Sequence, residues 1–188
     1  MLFRSNIPES EMSGVELELI GIISDTLSMD LRISTLDTEI TADFEALDNI
    51  KAEFGFFGDE PERYAQRENL KGNKLAKSPE FTANFGLQYN GVSKAGLPVK
   101  STFELIHRGD FQQRVFNSPF VDQVDSYTIV NLTYSTETSD STGVDFMILN
   151  AFDKDGVNSA MTDVFGVAGT GIELIPPRQF ILRVRKSF

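Results

Sequence analysis

Apolar and polar residues alternate with a period of two along most of the chain. In seven segments the apolar residues occupy every second position, and polar, charged or small residues fill the positions between them, except at Met147 and Ile181. This alternation is typical of β-strands that have one apolar face and one polar face. The predicted strands are centred on Val15–Leu19, Met29–Ile33, Phe81–Tyr89, Phe103–Leu105, Val130–Tyr134, Val144–Ile148 and Phe180–Val184. The sequence therefore predicts an all-β protein, and Met1–Ser5 is a candidate stub of an eighth strand.

A helical period occurs at one place in the sequence. Apolar residues follow the spacing of a helix face at Phe44, Leu47, Ile50 and Phe54. This segment lies inside a long connection, where it predicts a short helix.

The connections between the predicted strands alternate between short and long. The short ones, at 24–28, 90–96 and 135–142, have 5, 7 and 8 residues, and the long ones, at 41–78, 112–125 and 154–177, have 38, 14 and 24. Outer-membrane barrels are built in this way, with short periplasmic turns and long extracellular loops. Soluble sandwiches lack such a strict alternation of loop length. The pattern favours an antiparallel transmembrane β-barrel segment of seven to eight meander strands, which would be a partial barrel.

The charges fall mainly on one parity of the strands. The apolar parity carries Lys186 and His107, whereas the opposite parity is rich in acidic and basic residues. A charge that faces the bilayer midplane costs about 2–4 kcal/mol, so this separation fits lipid on one side and water on the other. A soluble sandwich would show a similar separation. The residues expected to face a hydrated lumen are Glu16, Glu18, Arg32, Glu104, Arg108, Arg183 and Arg185.

Two roles are open to the three predicted lumen arginines. Arg108, Arg183 and Arg185 could line a path for an anionic ligand, or they could form ion pairs. The carboxylates considered as their partners are those of Glu16, Glu18 and Glu104. We expect pairing.

The composition excludes several classes of function. The chain has 188 residues, a formal net charge of −11 and no Cys, so disulfides, thiolate nucleophiles and Cys-based zinc sites are excluded. An acidic chain is repelled by nucleic acid, and no nucleic-acid partner is expected. No uncharged apolar run is long enough for a transmembrane helix, and the N-terminus lacks the apolar core of a signal peptide.

The residues that could carry chemistry have simpler interpretations. His107 is the one histidine of the sequence. The spacing of the serines and acidic residues around it does not support a Ser-His-Asp arrangement. We interpret His107 as a residue that acts like an aromatic side chain near a membrane interface, in preference to a catalytic residue. Asp153–Gly156 resembles the start of a calcium loop, but the positions that an EF-hand requires to be Gly and Glu are Asn158 and Val164. Turn chemistry fits that segment better. We expect no catalytic residues, no metal site and no cofactor.

Aromatic residues cluster in two of the long connections. Residues of this kind in surface loops commonly serve recognition. The possible ligand contacts are Phe56, Phe57, Tyr64, Phe111, Arg114 and Phe116, and Phe120 belongs to the same group of aromatics. Packing of one loop against another explains these residues equally well.

The last strand ends on an aromatic residue. Phe180, Leu182 and Val184 occupy alternate positions of this strand, and Phe188 is the last residue. This pattern resembles the assembly signature of bacterial outer-membrane barrels, which implies recognition of the strand by the barrel-assembly machinery. Edge pairing of an extended segment gives such recognition a physical basis. Lys186 departs from the usual apolar residue two positions before the end.

Five further segments, in order, resemble strands of the TonB-dependent outer-membrane receptors. They are a G-x-E-x-E strand start, the end of the strand after it, a gN-x-L-x-x-sP-x-f-t stretch, a Y-x-l-v-N-l strand and an N-l-f-D-k strand end. In this sequence they are 14–18, 34–40, 72–84, 127–132 and 149–154. The resemblance covers nearly the whole chain.

The resemblance implies a fold, a location and a role. Such receptors have a 22-stranded barrel, a plug and a TonB-contact segment, so residues 1–188 would be the C-terminal part of the barrel without the plug. The implied location is the bacterial outer membrane, with membrane lipid as a partner and TonB acting only through N-terminal segments that this sequence lacks. The implied role is non-enzymatic, TonB-coupled uptake of a small-molecule solute, such as siderophore-bound iron, a cobalamin or an oligosaccharide.

Two alternatives to this interpretation remain open. The first is a small eight-stranded outer-membrane protein that serves in adhesion or anchoring. The second is a soluble β-sandwich binding module.

Overall fold

The structure, a computed structural model, describes residues 6–48, 67–138, 142–162 and 169–186. Seven strands form one large sheet: β1 (Ser10–Ser24), β2 (Leu27–Ile40), β5 (Phe81–Val92), β6 (Pro98–Arg108), β9 (Tyr127–Glu137), β10 (Thr142–Leu149) and β13 (Gln179–Lys186). Six shorter strands lie in the long connections: β3 (Glu45–Leu47), β4 (Arg67–Asn69), β7 (Phe111–Gln112), β8 (Gln123–Val124), β11 (Val157–Thr162) and β12 (Thr170–Leu174). The described part of the chain contains no helix that is long and apolar enough to cross a membrane.

The large sheet is an antiparallel meander. Its strand order is β1-β2-β5-β6-β9-β10-β13, and every adjacent pair is antiparallel. Among the described strands, β1 and β13 each have one neighbour, so the sheet is open and forms a partial barrel. All seven predicted strands and the all-β class are confirmed.

The alternation of connection lengths is confirmed as well. The connections at 25–26, 93–97 and 138–141 lie at one end of the sheet, which we call the short-turn end. The connections at 41–80, 109–126 and 150–178 lie at the other end, the long-loop end, and each contains one two-stranded hairpin. In an antiparallel meander, consecutive connections lie at opposite ends of the sheet. Connections that alternate in length therefore place all the short ones at one end and all the long ones at the other.

The register brings the apolar positions of all seven strands onto one face. One row runs through Leu31, Phe85, Leu105 and Val130, which are direct neighbours across β2, β5, β6 and β9. Large side chains of this face are exposed, among them Leu182 at 68 %. A contiguous exposed apolar surface of this extent indicates contact with lipid or another partner.

No second large sheet covers the apolar face in the described part of the chain. The remaining sheets have two strands each and lie in the long connections. A β-sandwich requires two packed sheets with an apolar core between them. The sandwich alternative is therefore wrong for the described fold.

The predicted helix is also wrong over its described part. Glu45–Leu47 forms strand β3, which pairs with Arg67–Asn69, while Ile50 and Phe54 lie outside the described residues. The tertiary pairing with β4 determines the local structure here, and the spacing of apolar residues in the sequence carries no information about that pairing.

Candidate functional site: the loop layer

The three hairpins β3–β4, β7–β8 and β11–β12 belong to the long-loop end, where β7–β8 packs against β11 and the segments that flank β3–β4 contact the second long connection. We call this region the loop layer. It contains a small hydrophobic core of Phe111, Val124 and Ala160, which are 4–7 % exposed, with Val157 packed against it. Phe111 was predicted as a possible ligand contact, but its burial gives it the packing role instead.

Arg114 joins two of the long connections through a buried ion-pair cluster. Its Nε donates to Asp122 at 2.5 Å and its Nη1 donates to Asp48 at 2.6 Å. The Asp48 and Asp122 side chains are 1 % and 0 % exposed. Burial lowers the pKa of Arg114, but the hydrogen bonds and charges of the two carboxylates outweigh it and raise the pKa above its usual value.

The guanidinium of Arg114 also stacks on the ring of Phe116, with 5.0 Å from Cζ to the ring centroid. The guanidinium of Arg114 is therefore bound by other groups of the protein. Packing within the loop layer accounts for both Arg114 and Phe116. Asp48 and Asp122 could not be predicted from the sequence as partners of Arg114, because they lie 66 and 8 positions from it and follow no periodic pattern.

Further hydrogen bonds tie the first long connection to the second. The backbone N–H of Lys74 donates to Oδ1 of Asn117 at 2.6 Å, and Nδ2 of Asn73 donates to the carbonyl of Val115 at 2.9 Å. The backbone N–H of Lys77 donates to the carbonyl of Gln112 at 2.7 Å. These contacts extend the junction well beyond Arg114.

Arg108, at the end of β6, anchors the third connection. Its guanidinium lies between the rings of Phe111 and Tyr127, at 4.7 and 4.6 Å from their centroids. It donates to the carbonyl of Asn158 at 2.8 Å and to that of Val157. The expected pairing of Arg108 with a lumen carboxylate is therefore wrong, because the β11–β12 hairpin occupies its hydrogen-bonding edge.

Aromatic side chains remain exposed on the outside of the loop layer. Phe120 is 93 % exposed and Phe152 is 77 % exposed. Phe120 sits in a turn closed by hydrogen bonds between the Asp122 carboxylate and the Ser118 N–H and between the Asp122 N–H and the Ser118 carbonyl. Three other predicted ligand contacts lie outside the described residues: Phe56, Phe57 and Tyr64.

The polar face of the sheet carries local ion pairs rather than the expected ones. Arg32 pairs with Glu18 at 2.9 Å and Arg185 pairs with Asp145 at 2.9 Å. The expected partners of Arg185 were glutamates of earlier strands, but the register places its strand beside β10, which carries Asp145.

The remaining members of the predicted lumen set lie on the same face. Glu104 accepts a hydrogen bond from Nδ2 of Asn131 at 2.8 Å. Arg183 is opposite Asp145 in the β10–β13 ladder, and Glu16 is opposite Ser34 in the β1–β2 ladder. Their orientation toward a water-filled lumen remains a proposal.

Asn150 organises the turn that was weighed as a calcium loop. Its Nδ2 donates to the carbonyls of Lys154 and Pro176 at 2.9 and 3.1 Å, and its Oδ1 accepts from the Lys154 N–H at 2.9 Å. Asp153 accepts from the N–H of Arg178 at 2.8 Å. These contacts are turn chemistry, and the described residues contain no group of three or more metal-binding side chains.

His107 lies on the apolar face near the long-loop end. Its Nδ1 is 2.8 Å from the hydroxyl of Thr128, and its ring is tilted against that of Phe81 at 5.6 Å. The assembly-signature residues Phe180, Leu182 and Val184 share the same face on β13 and are 64–68 % exposed. Phe188 lies outside the described residues.

Neither a protein-family model nor a curated protein matches the sequence. Solved structures do match the fold. The ferric yersiniabactin uptake receptor FyuA from Yersinia pestis superposes with a TM-score of 0.72 at 14 % identity, over 95 % of this chain. The siderophore receptor PiuA from Acinetobacter baumannii gives 0.70 at 17 % identity over 93 %. The ferric preacinetobactin receptor BauA from the same organism gives 0.60 at 14 % identity over 93 %.

The chain spans less than a quarter of the length of these structures, with 24 % of FyuA, 21 % of PiuA and 22 % of BauA covered. Identities of this size establish the fold alone. The open antiparallel sheet, its exposed apolar face and its long loops at one end thus share the fold of part of these receptor structures.

Proposed function

We propose that this chain is part of the barrel wall and loop layer of a bacterial outer-membrane receptor that imports a scarce solute. The observation that supports this most directly is the open seven-stranded sheet with one continuous apolar face. In lipid, an unpaired strand edge costs several kcal/mol for each unsatisfied backbone group, so the sheet needs further strands at β1 and β13.

The directions of the two edge strands, β1 and β13, argue against a barrel formed by pairing one with the other. In an antiparallel meander of seven strands, the first and the last strand run in the same direction. Joining β1 to β13 would make a parallel pair, whereas single-chain bacterial outer-membrane barrels have an even number of antiparallel strands. This geometry argues against a closed barrel of these seven strands alone; the eight-stranded alternative needs one more strand, and its candidate, Met1–Ser5, lies outside the described residues.

We assign the long-loop end to the extracellular side and the short-turn end to the periplasm, in keeping with the general pattern of outer-membrane barrels. The polar face then lines a hydrated lumen, and the loop layer surrounds its outer mouth. Exposed aromatics such as Phe120 would be available to a ligand there. Import would require TonB and a plug, supplied by polypeptide outside this sequence.

Single-cysteine labelling tests the location and orientation, because the native chain contains no Cys. Phe120→Cys reports the loop layer, and Lys94→Cys reports a short turn. In intact Gram-negative cells a membrane-impermeant maleimide should label only the first variant, and both after the outer membrane is permeabilised. Labelling of Lys94→Cys in intact cells would contradict the orientation, and recovery of both variants in the soluble fraction would contradict the membrane location.

The solute is tested by uptake in the organism that encodes the chain. The structural matches are receptors for siderophores, so a ferric siderophore is the first solute to assay. Disrupting the gene should reduce uptake to the level seen without TonB, and cobalamin and an oligosaccharide provide the comparison. Unchanged uptake of all three classes would contradict the import role.

A further inference from the structure

The apolar side of the β11–β12 hairpin is buried on β11 and exposed on β12. Ala160 of β11 is directly opposite Ile172 of β12, and Val157 is opposite Leu174 in the same ladder. Ala160 belongs to the core of the loop layer, and Val157 packs against that core. Ile172 and Leu174, in contrast, are 59 % and 57 % exposed. The core therefore stops at β11, although the apolar side of the hairpin continues onto β12.

Ile172 and Leu174 form an exposed patch that we call the β12 surface. They stand two positions apart and so lie on the same side of the strand. On the opposite side, Glu173 accepts a hydrogen bond from Nδ2 of Asn158 at 3.3 Å. The β12 surface is thus the continuation of a buried core, and an apolar surface that continues a packed core indicates a further contact.

The backbone of β12 has one unpaired edge. Among the described strands it pairs with β11 alone, so the peptide groups of Thr170–Leu174 along the other edge have no strand partner there. An extended segment can add to such an edge through main-chain hydrogen bonds, while its alternate side chains contact the neighbouring surface. A strand added to β12 would bring apolar side chains beside Ile172 and Leu174 and extend the core by one strand.

The β12 surface is close to β13, which is an edge strand of the large sheet. Residues 175–178 separate Leu174 from Gln179, the first residue of β13, so these two residues are at most roughly 18 Å apart. The Ile175 N–H donates to the carbonyl of Gly156 at 2.9 Å and holds this segment against the start of the same connection. The fold thus places β12 beside the long-loop end of β13.

The direction of β13 indicates what lies next to the β12 surface in a complete barrel. β13 begins at the long-loop end, because the connection at 150–178 precedes it there. In the proposed barrel the strand that pairs with β13 runs antiparallel to it and therefore ends at the long-loop end. The chain that leaves this strand emerges roughly 5 Å to the side of the start of β13, within reach of β12.

We propose that the β12 surface is the docking site for the connection that follows this neighbouring strand, a segment of the same receptor outside residues 1–188. The segment pairs with the free edge of β12 as a third strand and packs apolar side chains on Ile172 and Leu174. The loop layer then continues across the edge of the large sheet. This interaction rests on the proposed receptor, and it adds a contact that the import role does not specify.

The accessibility of Ile172 in the assembled receptor is the first test. Ile172→Cys is introduced into the gene of the organism that encodes the chain, intact cells are treated with a membrane-impermeant maleimide, and peptide mass spectrometry measures the labelling rate at that position. Met161→Cys is the matched control, because Met161 is next to Ala160 on the other side of β11 and is 77 % exposed. Ile172→Cys should react roughly tenfold more slowly, since its thiol becomes accessible only when the docked segment opens. Equal rates would overturn the docking.

Photo-cross-linking identifies the segment that covers the β12 surface. Ile172→p-benzoylphenylalanine, irradiated in native outer membranes, should link to a peptide of the same polypeptide outside residues 1–188, in the connection after the strand that pairs with β13. Met161→p-benzoylphenylalanine should not form this link. A link from Ile172 to a second copy of the chain, to another protein or to lipid would overturn the assignment, and so would the absence of any link.

Labelling of Phe120→Cys in the same cells separates failure of this proposal from failure of the proposed function. If Phe120→Cys is labelled from outside and uptake is normal, but Ile172 is neither protected nor linked, the docking is wrong and the import role stands. If the protein is recovered in the soluble fraction, the receptor assignment and the docking fail together. Normal uptake by the Ile172 and Met161 variants verifies that they are folded and inserted.

Discussion

At the scale of single residues, Arg114 is the side chain whose removal should disturb the loop layer most. Arg114→Ala leaves the carboxylates of Asp48 and Asp122 buried without their cation, and loss of one partner of a buried ion pair costs roughly 3–5 kcal/mol. We expect the loop layer to open while the large sheet persists. Limited proteolysis should cut the variant between β2 and β5 faster than the wild type.

Arg178→Ala is the matched control for Arg114→Ala. Arg178 is 42 % exposed and lies 3.9 Å from the Asp153 carboxylate, so its ion pair is worth at most about 1 kcal/mol. Protease should therefore cleave the Arg178→Ala variant at close to the rate at which it cleaves the wild type. Equal cleavage of the two variants would contradict a special role for the buried cluster.

Asp43 gives the loop layer a pH-dependent contact. A hydrogen bond from Asn69 at 2.6 Å and the charge of Lys71 hold the pKa of Asp43 below its ordinary value of 3.8. Because the folded pKa is the lower one, this stabilisation is present above pH 3.8 and is lost as the pH falls through the folded pKa. Carbon-detected NMR titration should show a lowered midpoint for Asp43, and Asn69→Ala should move it back toward 3.8.

At the scale of elements, the turn around Asn150 fixes how the chain enters the last strand. Asn150 adopts a positive φ of 48° and makes three side-chain hydrogen bonds, one of them to Pro176 shortly before β13. Asn150→Ala loses these bonds and keeps an unfavourable backbone conformation, so we expect a loss of roughly 2–4 kcal/mol in unfolding free energy.

Asn150→Gly separates the two contributions. It loses the same hydrogen bonds but tolerates the positive φ, and it should be more stable than Asn150→Ala by about 1 kcal/mol. Denaturant unfolding in detergent micelles measures both variants. If the two were equally unstable, the backbone conformation would not contribute.

An added charge should cost much more stability on the apolar face of β5 than on its polar face. Phe85 lies in the middle of the apolar face, where its ring meets Phe103 edge-on at 6.3 Å. Phe85→Arg should reduce the stability in a bilayer by about 2–4 kcal/mol. Asn84→Arg places the same side chain on the polar face one position away and should change it by less than about 1 kcal/mol. Equal losses would contradict a lipid-facing apolar side.

The elements that the sequence predicts well are those whose signal is local. All seven strands of the sheet follow from alternation, because one face meets an apolar environment and the other a polar one. The β3–β4 hairpin was missed because Glu45 pairs with Asn69, a residue 24 positions away. The loop layer was missed for the same reason, since Arg114 and Asp48 are brought together only by the packing of two separate loops.

At the scale of the whole molecule, order should decrease from the centre of the sheet to its edges. Strands β5, β6 and β9 are paired on both sides, whereas β1 and β13 are each paired on one side among the described strands. Unpaired edge amides exchange readily with solvent. For the chain alone in micelles, hydrogen exchange should be slowest in β6 and fastest along β1 and β13. Protection of β1 equal to that of β6 would mean that another strand pairs with it.

The antiparallel order of the seven described strands has a consequence for how such barrels can evolve. Growth by whole hairpins adds two strands and preserves the direction of the far edge, so antiparallel pairing continues without interruption. Duplication of the seven described strands, with both copies keeping their long loops at the same end, would instead place side by side two strands that run in the same direction. Lineages that gained or lost strands within this region are therefore expected to differ by whole hairpins, that is, by an even number of strands.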